Sequence, residues 1–284
     1  MSIVVTGATG HLGRLIIEGL IREGVPAAEI TAAGRSVEKL AALAPLGVQV
    51  AAINYDDPAT LVAAFQGADK VMLVSSSEVG KRAAQHAAAI DAAKEAGVGH
   101  IVYTSAPKAT TSPLILAPEH KATEEYLEAS GIPFTILRNG WYTENYVQTA
   151  QQAAATGVLA ASVGDGLVAS ASRVDYADAA VAVLAGTGHE GRTYELSGDV
   201  AWHYDDLAAA IAAVTERPVV YQRVTPEEQF AGLTAAGLDE GTVGFLVALD
   251  GNTRDGLLGE TSGELRQLIG RPTTPLKGGL AAAL

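Results

Sequence analysis

The sequence predicts an α/β fold: a doubly wound, mostly parallel sheet, followed by a smaller C-terminal α+β lobe. Three observations lead there. Short apolar runs alternate with helical stretches through the first half of the chain. The first run meets a Gly-x-x-Gly-x-x-Gly turn that opens directly into a helical pattern. After about residue 155 the alternation loosens and glycines punctuate mostly helical sequence.

The elements follow in order. Ser2–Thr6 is a β-branched run, apolar enough for burial on both faces of a parallel sheet. Gly7, Gly10 and Gly13 make the turn, and Leu12, Leu15, Ile16 and Leu20 set a helix over 11–23. Further strands are expected at Ile30–Gly34, Val48–Ile53, Lys70–Val74, His100–Ser105 and Phe134–Arg138. Helices are expected near 36–44, 58–66, 81–96, 119–130 and 142–152. Parallel strands joined by helices imply right-handed crossovers. Beyond these, Val174–Leu184 and Tyr204–Glu216 read as helices, Thr193–Ser197 and Pro218–Arg223 as strands, and 226–284 as mostly helical. The expected division is a Rossmann-type domain over 1–155 and a smaller lobe over 156–284, with the segment near 174–197 packing on the first domain.

Composition excludes several functions. The 284 residues contain no cysteine, which removes disulfides, thiolate catalysis and cysteine-ligated metal and is compatible with a cytoplasmic protein. The six histidines lack metal-ligand spacing. A net charge of −13 argues against a nucleic-acid partner, which needs a basic face. No signal peptide is visible, and no run approaches the roughly 20 apolar residues of a membrane span. A two-fold homodimer is compatible with the sequence, which singles out no interface.

Backbone N–H groups at a helix start suit a diphosphate, and glycine lets it approach. Gly7, Ala8, Thr9, Gly10, His11 and Leu12 are therefore the expected cradle of a dinucleotide, with the bland alternative a glycine-rich turn that binds nothing. NAD-binding forms place a carboxylate at the tip of the second strand. Here that tip carries Arg35, with Ser36 beside it and Lys39 one turn on. A guanidinium pairs with a 2′-phosphate where a carboxylate repels it, so NADP(H) is the expected cofactor.

A Tyr-x-x-x-Lys acid/base dyad is absent: none of the nine tyrosines has a lysine four residues on. Hydride transfer to an electron-poor acceptor such as a quinone does not need it, because positioning and a hydrogen-bond donor suffice. Three segments that follow strands are candidates for the site. Ser75, Ser76 and Ser77 can pass close to the cofactor. Thr104 and Ser105 can donate hydroxyl hydrogens near a nicotinamide. Asn139, Gly140, Trp141, Tyr142 and Asn145 offer aromatic walls and amides for a flat acceptor, although the aromatics suit core packing equally well. In the helix where the dyad would lie only His120 or Lys121 remains, and both read more readily as solvated charges. Glu124 and Glu125 read as a solvated helix face. Arg173 suits a cofactor contact or a seal between lobes.

Together, Val5–Gly13, Ser75–Gly80, Tyr103-Thr104-Ser105, His120 with Thr123-Glu124, and Leu137–Tyr146 resemble the NmrA-like atypical short-chain dehydrogenases, in particular the zinc-free bacterial NADPH:quinone reductases. The resemblance continues through Gly188–Gly191 and Leu268–Leu276, so it spans essentially the whole chain. It implies a Rossmann domain with a small lobe, NADPH as hydride donor and a quinone as acceptor, without metal or flavin. It implies cofactor contacts at Gly7–Leu12, Arg35, Ser75–Ser77 and Asn139–Tyr142. Lys121 stands where that pattern is apolar. Two alternatives from the same resemblance are reduction of another electron-poor aromatic, such as a triphenylmethane dye, and NADP(H) sensing without turnover.

Overall fold

A computed structural model describes residues 1–76 and 78–284. Nine strands are described: β1 Ile3–Val5, β2 Ile30–Gly34, β3 Gln49–Ala52, β4 Lys70–Leu73, β5 His100–Ser105, β6 Phe134–Asn139, β7 Val158–Ala161, β8 Arg192–Leu196 and β9 Val220–Arg223. The helices are α1 His11–Arg22, α2 Val37–Ala41, α3 Pro58–Phe65, α4 Arg82–Glu95, α5 Ala117–Ser130, α6 Val147–Thr156, α7 Arg173–Ala185, α8 Tyr204–Thr215, α9 Pro226–Ala235, α10 Glu240–Arg254, α11 Glu264–Ile269 and α12 Leu276–Ala283.

Seven strands form one sheet in the order β3-β2-β1-β4-β5-β6-β8. The pairs from β3 through β6 are parallel, with Ile3 opposite both Ile30 and Lys70. The strand order reverses between β1 and β4, and in such sheets ligands bind at the carboxyl ends beside that reversal. Side chains alternate across the strands. Val4, Val71, Leu73, Ile101, Tyr103 and Ile136 share one core with Leu61, Phe65, Ile90 and Leu127 from α3, α4 and α5. α1 and α7 pack against each other, and Gly19 allows it: a Cβ there would stand 2.7 Å from Val181 Cγ2.

The chain forms two compact units. The first comprises Met1–Thr110, Leu116–Asn139 and Arg173–Glu195; the second comprises Thr111–Ile115, Gly140–Ser172 and Leu196–Leu284. In the second, β7 and β9 pair in parallel, Val158 opposite Val220. Tyr146, Trp202 and Tyr204 meet edge to face or tilted in its core, at centroid separations of 5.2–6.0 Å.

β2 and β5 coincide with their expected bounds, and the other expected strands shift by one or two residues. Three features differ from expectation. β7 has no counterpart in the sequence reading, because Val-Leu-Ala-Ala is short and alanine is a weak strand former; its partner β9 lies some sixty residues further on. The helix expected over 142–152 is a 3-10 turn, Thr143–Tyr146, running into α6. Residues 140–155, expected in the first domain, fall in the second unit. There Trp141 O accepts from Ala171 N at 3.1 Å, and Thr143 N donates to Ala171 O at 2.9 Å. That pairing joins segments thirty residues apart, which local pattern does not encode.

Candidate functional site

Thr6 fixes the base of the glycine loop. It is fully buried, its N–H donates to Met72 O at 2.9 Å, and its Oγ1 accepts from Val74 N at 3.0 Å. The hydroxyl hydrogen returns to Met72 O at 3.2 Å. One threonine thus ties together the carboxyl ends of β1 and β4. Gly7 then turns with φ +60, and Gly10 N closes the turn on Gly7 O at 2.9 Å. A Cβ on Gly13 would stand 2.4 Å from Gly7 O, so only glycine allows α1 to start this close to the loop. No side chain caps α1, and its first turn carries no acid. The result is a cradle of backbone N–H groups under a positive helix end, which fits an anionic diphosphate. Ala8 and Leu12 are buried beneath it, while Gly10 and His11 face solvent. Thr9 lies against Gly34 at the end of β2, where a Cβ would come within 3.2 Å of Thr9 Cγ2.

Arg35 follows Gly34, with 56% of its side chain exposed, and pairs with the Glu78 carboxylate. That bond holds the Glu78 carboxyl below the usual carboxylate range. Ser36 caps α2 by accepting from Lys39 N at 3.4 Å. A cation at a helix start is favoured only beside an anion, and here the chain itself supplies one in Glu78.

The hydroxyls after β4 and β5 are more committed than the sequence suggests. Thr104 Oγ1 accepts from Ser75 N at 2.8 Å and lies 3.3 Å from Ser75 Oγ, its own hydrogen turned that way. Ser105 Oγ donates to Glu124 Oε1 at 2.5 Å. Both hydrogens are therefore spent inside the protein, and what Ser105 can still offer a carboxamide is an acceptor lone pair. Glu124, expected on a solvated face, is fully buried and accepts from Arg138 at 2.9 and 2.5 Å. Arg138 also reaches Glu195 at 2.7 Å and Thr110 at 3.2 Å. Ser77 lies outside the described residues.

His120 is buried, not solvated. Its Nδ1 lies 2.7 Å from the Tyr103 hydroxyl, and desolvation with nearby Arg82 pushes its pKa down to about 3. It is neutral near pH 7 and has no proton to give as an imidazolium. Burial pushes the Tyr103 phenol up. Lys121 is half exposed and lies 3.6 Å from Glu125.

Asn139 is buried at the carboxyl end of β6, and Arg173 opens α7, half buried; both belong to the first unit. Gly140, Trp141, Tyr142 and Asn145 belong to the second. Gly140 N donates to Leu196 O at 2.7 Å; Trp141 and Tyr142 are half buried, and Asn145 is exposed. Thr6, Glu78, His86, Glu124 and Arg138 shape the site without having been singled out as site residues from sequence. The Thr-Gly step of the first turn and the placing of Glu78 and Arg138 in segments that follow strands offered a signal; the partners Arg35, Ser76, Thr123, Ser105 and Glu195 through which Glu78, His86, Glu124 and Arg138 act lie ten to fifty-seven residues away in the chain.

A family model described as the NmrA-like family matches residues 1–248. The chain is 47% identical to quinone oxidoreductase 2 of Escherichia coli over 274 residues, 96% of each chain. A crystal structure of an NADPH-dependent quinone oxidoreductase from Escherichia coli with NADPH superposes with a TM-score of 0.94, at 46% identity over 99% of both chains. The Citrobacter sp. triphenylmethane reductase complexed with NADP(H) does so at 0.94, with 38% identity over the full length of both. Among the described residues, no helix is long and apolar enough to cross a membrane.

Proposed function

The chain belongs to the NmrA-like family, and from that premise we propose that it is an oxidoreductase that reduces quinones at the expense of NADPH. The observation that carries the cofactor is the glycine cradle, in which the Gly13 position leaves no room for a Cβ and α1 presents an uncapped end. The quinone comes from near-half identity over nearly the whole length of a quinone oxidoreductase. When bound, NADPH would supply the hydride: NADPH, quinone and one proton give NADP+ and hydroquinone.

The residues divide the work. Gly7–Leu12 hold the diphosphate, Ser75 and Ser76 line the ribose side, and Ser105 and Asn139 orient the nicotinamide carboxamide. Arg35 takes the 2′-phosphate by exchanging Glu78 for a second anion. Trp141 and Tyr142, two and three residues after Asn139 in the chain, form the wall for a flat acceptor, with Asn145 as a carbonyl donor. Positioning and fixed dipoles supply most of the effect, in keeping with the missing dyad. His120, neutral, buried and held against the Tyr103 hydroxyl, is not the proton source. The cysteine-free composition fits work in the cytoplasm.

The test is NADPH oxidation followed at 340 nm with a panel of quinones and with triphenylmethane dyes, NADH in parallel. Turnover of quinones with NADPH and little with NADH is the expected outcome. Tight NADPH binding with no turnover of any acceptor would move the reading to a redox sensor.

A further inference from the structure

α4 and α5 face each other with two pairs of polar side chains at i, i+4 spacing: Arg82 and His86 on α4, Glu119 and Thr123 on α5. Arg82, His86 and Thr123 are all buried. Both α4 residues grip the backbone of one residue, Ser76, in the loop after β4. Ser76 N donates to His86 Nε2 at 3.1 Å, and Arg82 Nε donates to Ser76 O at 2.7 Å. The α5 residues hold the far ends. His86 Nδ1 lies 2.9 Å from Thr123 Oγ1, Thr123 Oγ1 donates to Glu119 O at 2.8 Å, and Arg82 Nη1 lies 3.5 Å from Glu119 Oε2. Glu119 Oε1 also accepts from Gly80 N and Arg82 N, at 3.0 and 3.1 Å, and so caps α4.

These directions leave one tautomer. Nε2 accepts, so it is bare; Nδ1 therefore bears the hydrogen and donates to Thr123, whose own hydrogen goes to Glu119 O. Burial with nearby His120 and Arg82 keeps the ring neutral, its pKa down at about 3. Stability does not call for this arrangement. A buried guanidinium and imidazole between two helices cost desolvation that apolar side chains would avoid. What they provide is a rigid hold on both backbone groups of Ser76.

We propose that His86, with Arg82, is a positioning residue that fixes the Ser75–Ser76 backbone for NADPH binding. The inference rests on the cofactor reading above. It adds that Ser76 is presented by a side-chain clamp from α4 and that the clamp works only with Nδ1 protonated and Nε2 bare. The clamp touches no reacting atom, so its loss weakens cofactor binding and leaves the hydride step nearly intact.

Two measurements test it. Long-range 1H–15N correlation on the ligand-free protein reads the His86 tautomer; Nδ1–H with bare Nε2 is expected, and Nε2–H overturns the clamp. NADPH dissociation constants, KM and kcat are then compared for wild type, His86→Phe, His86→Gln and Thr123→Val, with thermal melts on each. Loss of the acceptor in His86→Phe should weaken NADPH on the order of tenfold with kcat little changed. His86→Gln, whose carbonyl can accept from Ser76 N, should recover most of that loss. Thr123→Val, which removes the partner of Nδ1–H without touching Ser76, should weaken NADPH in the same direction and serves if His86→Phe does not fold. Unchanged NADPH affinity in folded His86→Phe or Thr123→Val, or equal losses in the Gln and Phe variants, overturns the proposal. Failure of the wild type to bind NADPH overturns the cofactor reading instead.

Discussion

Arg35 and Gly13 show how much a single position carries. Arg35 is read from sequence as a cation with no carboxylate beside it, and the fold brings Glu78 to it from forty-three residues away. On the proposed reading a 2′-phosphate displaces that carboxylate, so the pair would set a threshold that a second anion has to pass. Arg35→Asp is expected to weaken NADPH on the order of a hundredfold, the loss of charged hydrogen bonds, with NADH little affected. Equal loss of both nucleotides, read by fluorescence titration, would remove Arg35 from the phosphate. At Gly13 the constraint is space: a Cβ 2.4 Å from Gly7 O forces loop and helix apart. Gly13→Ala should cost about 1–3 kcal/mol of stability, as overpacking does, and should abolish NADPH binding in whatever fraction folds. A denaturant melt paired with a binding titration checks both.

At the scale of elements, α5 is the instructive case. Its sequence, Glu119-His120-Lys121-Ala122-Thr123-Glu124-Glu125, looks like a solvated helix because charged residues are rarely buried. The helix in fact turns His120, Thr123 and Glu124 inward, where Tyr103, His86 and Arg138 complete them, and leaves Lys121 and Glu125 outside. Glu124 is the pivot between β5 and β6, joining Ser105 to Arg138. Removing one partner of a buried ion pair leaves the other charge uncompensated. Glu124→Leu should therefore cost about 3–5 kcal/mol, read from urea unfolding midpoints. A loss under a kilocalorie would mean that Glu195 alone satisfies Arg138.

For the molecule as a whole, the buried histidines set a pH dependence. In the unfolded chain a histidine takes up a proton near pH 6.5; folded His86 and His120 do so only at about 3. Between those values the unfolded state binds more protons, so stability falls as pH drops, by about 1.4 kcal/mol per unit for each group. Above 6.5 both states are neutral and the two histidines add no slope. Thermal melts from pH 8 to 5 should be flat at first and decline below about 6.5, and His120→Gln should make the decline shallower without removing it, because His86, His100 and His189 are lowered in the same direction. The strands, the crossover helices and the glycine turn were legible in the sequence because they rest on local periodicity and on backbone conformations few residues tolerate. The glycine loop proposed as the cofactor cradle was legible for the same reason. What only the tertiary structure decided is which polar side chains go inside and with whom: the Glu78 partner of Arg35, the Ser105–Glu124–Arg138 chain, the hold of α4 on Ser76, and the pairing of β7 with β9. Each joins residues ten or more positions apart, and whether a charge can be buried depends on the partner waiting for it, which no local pattern records.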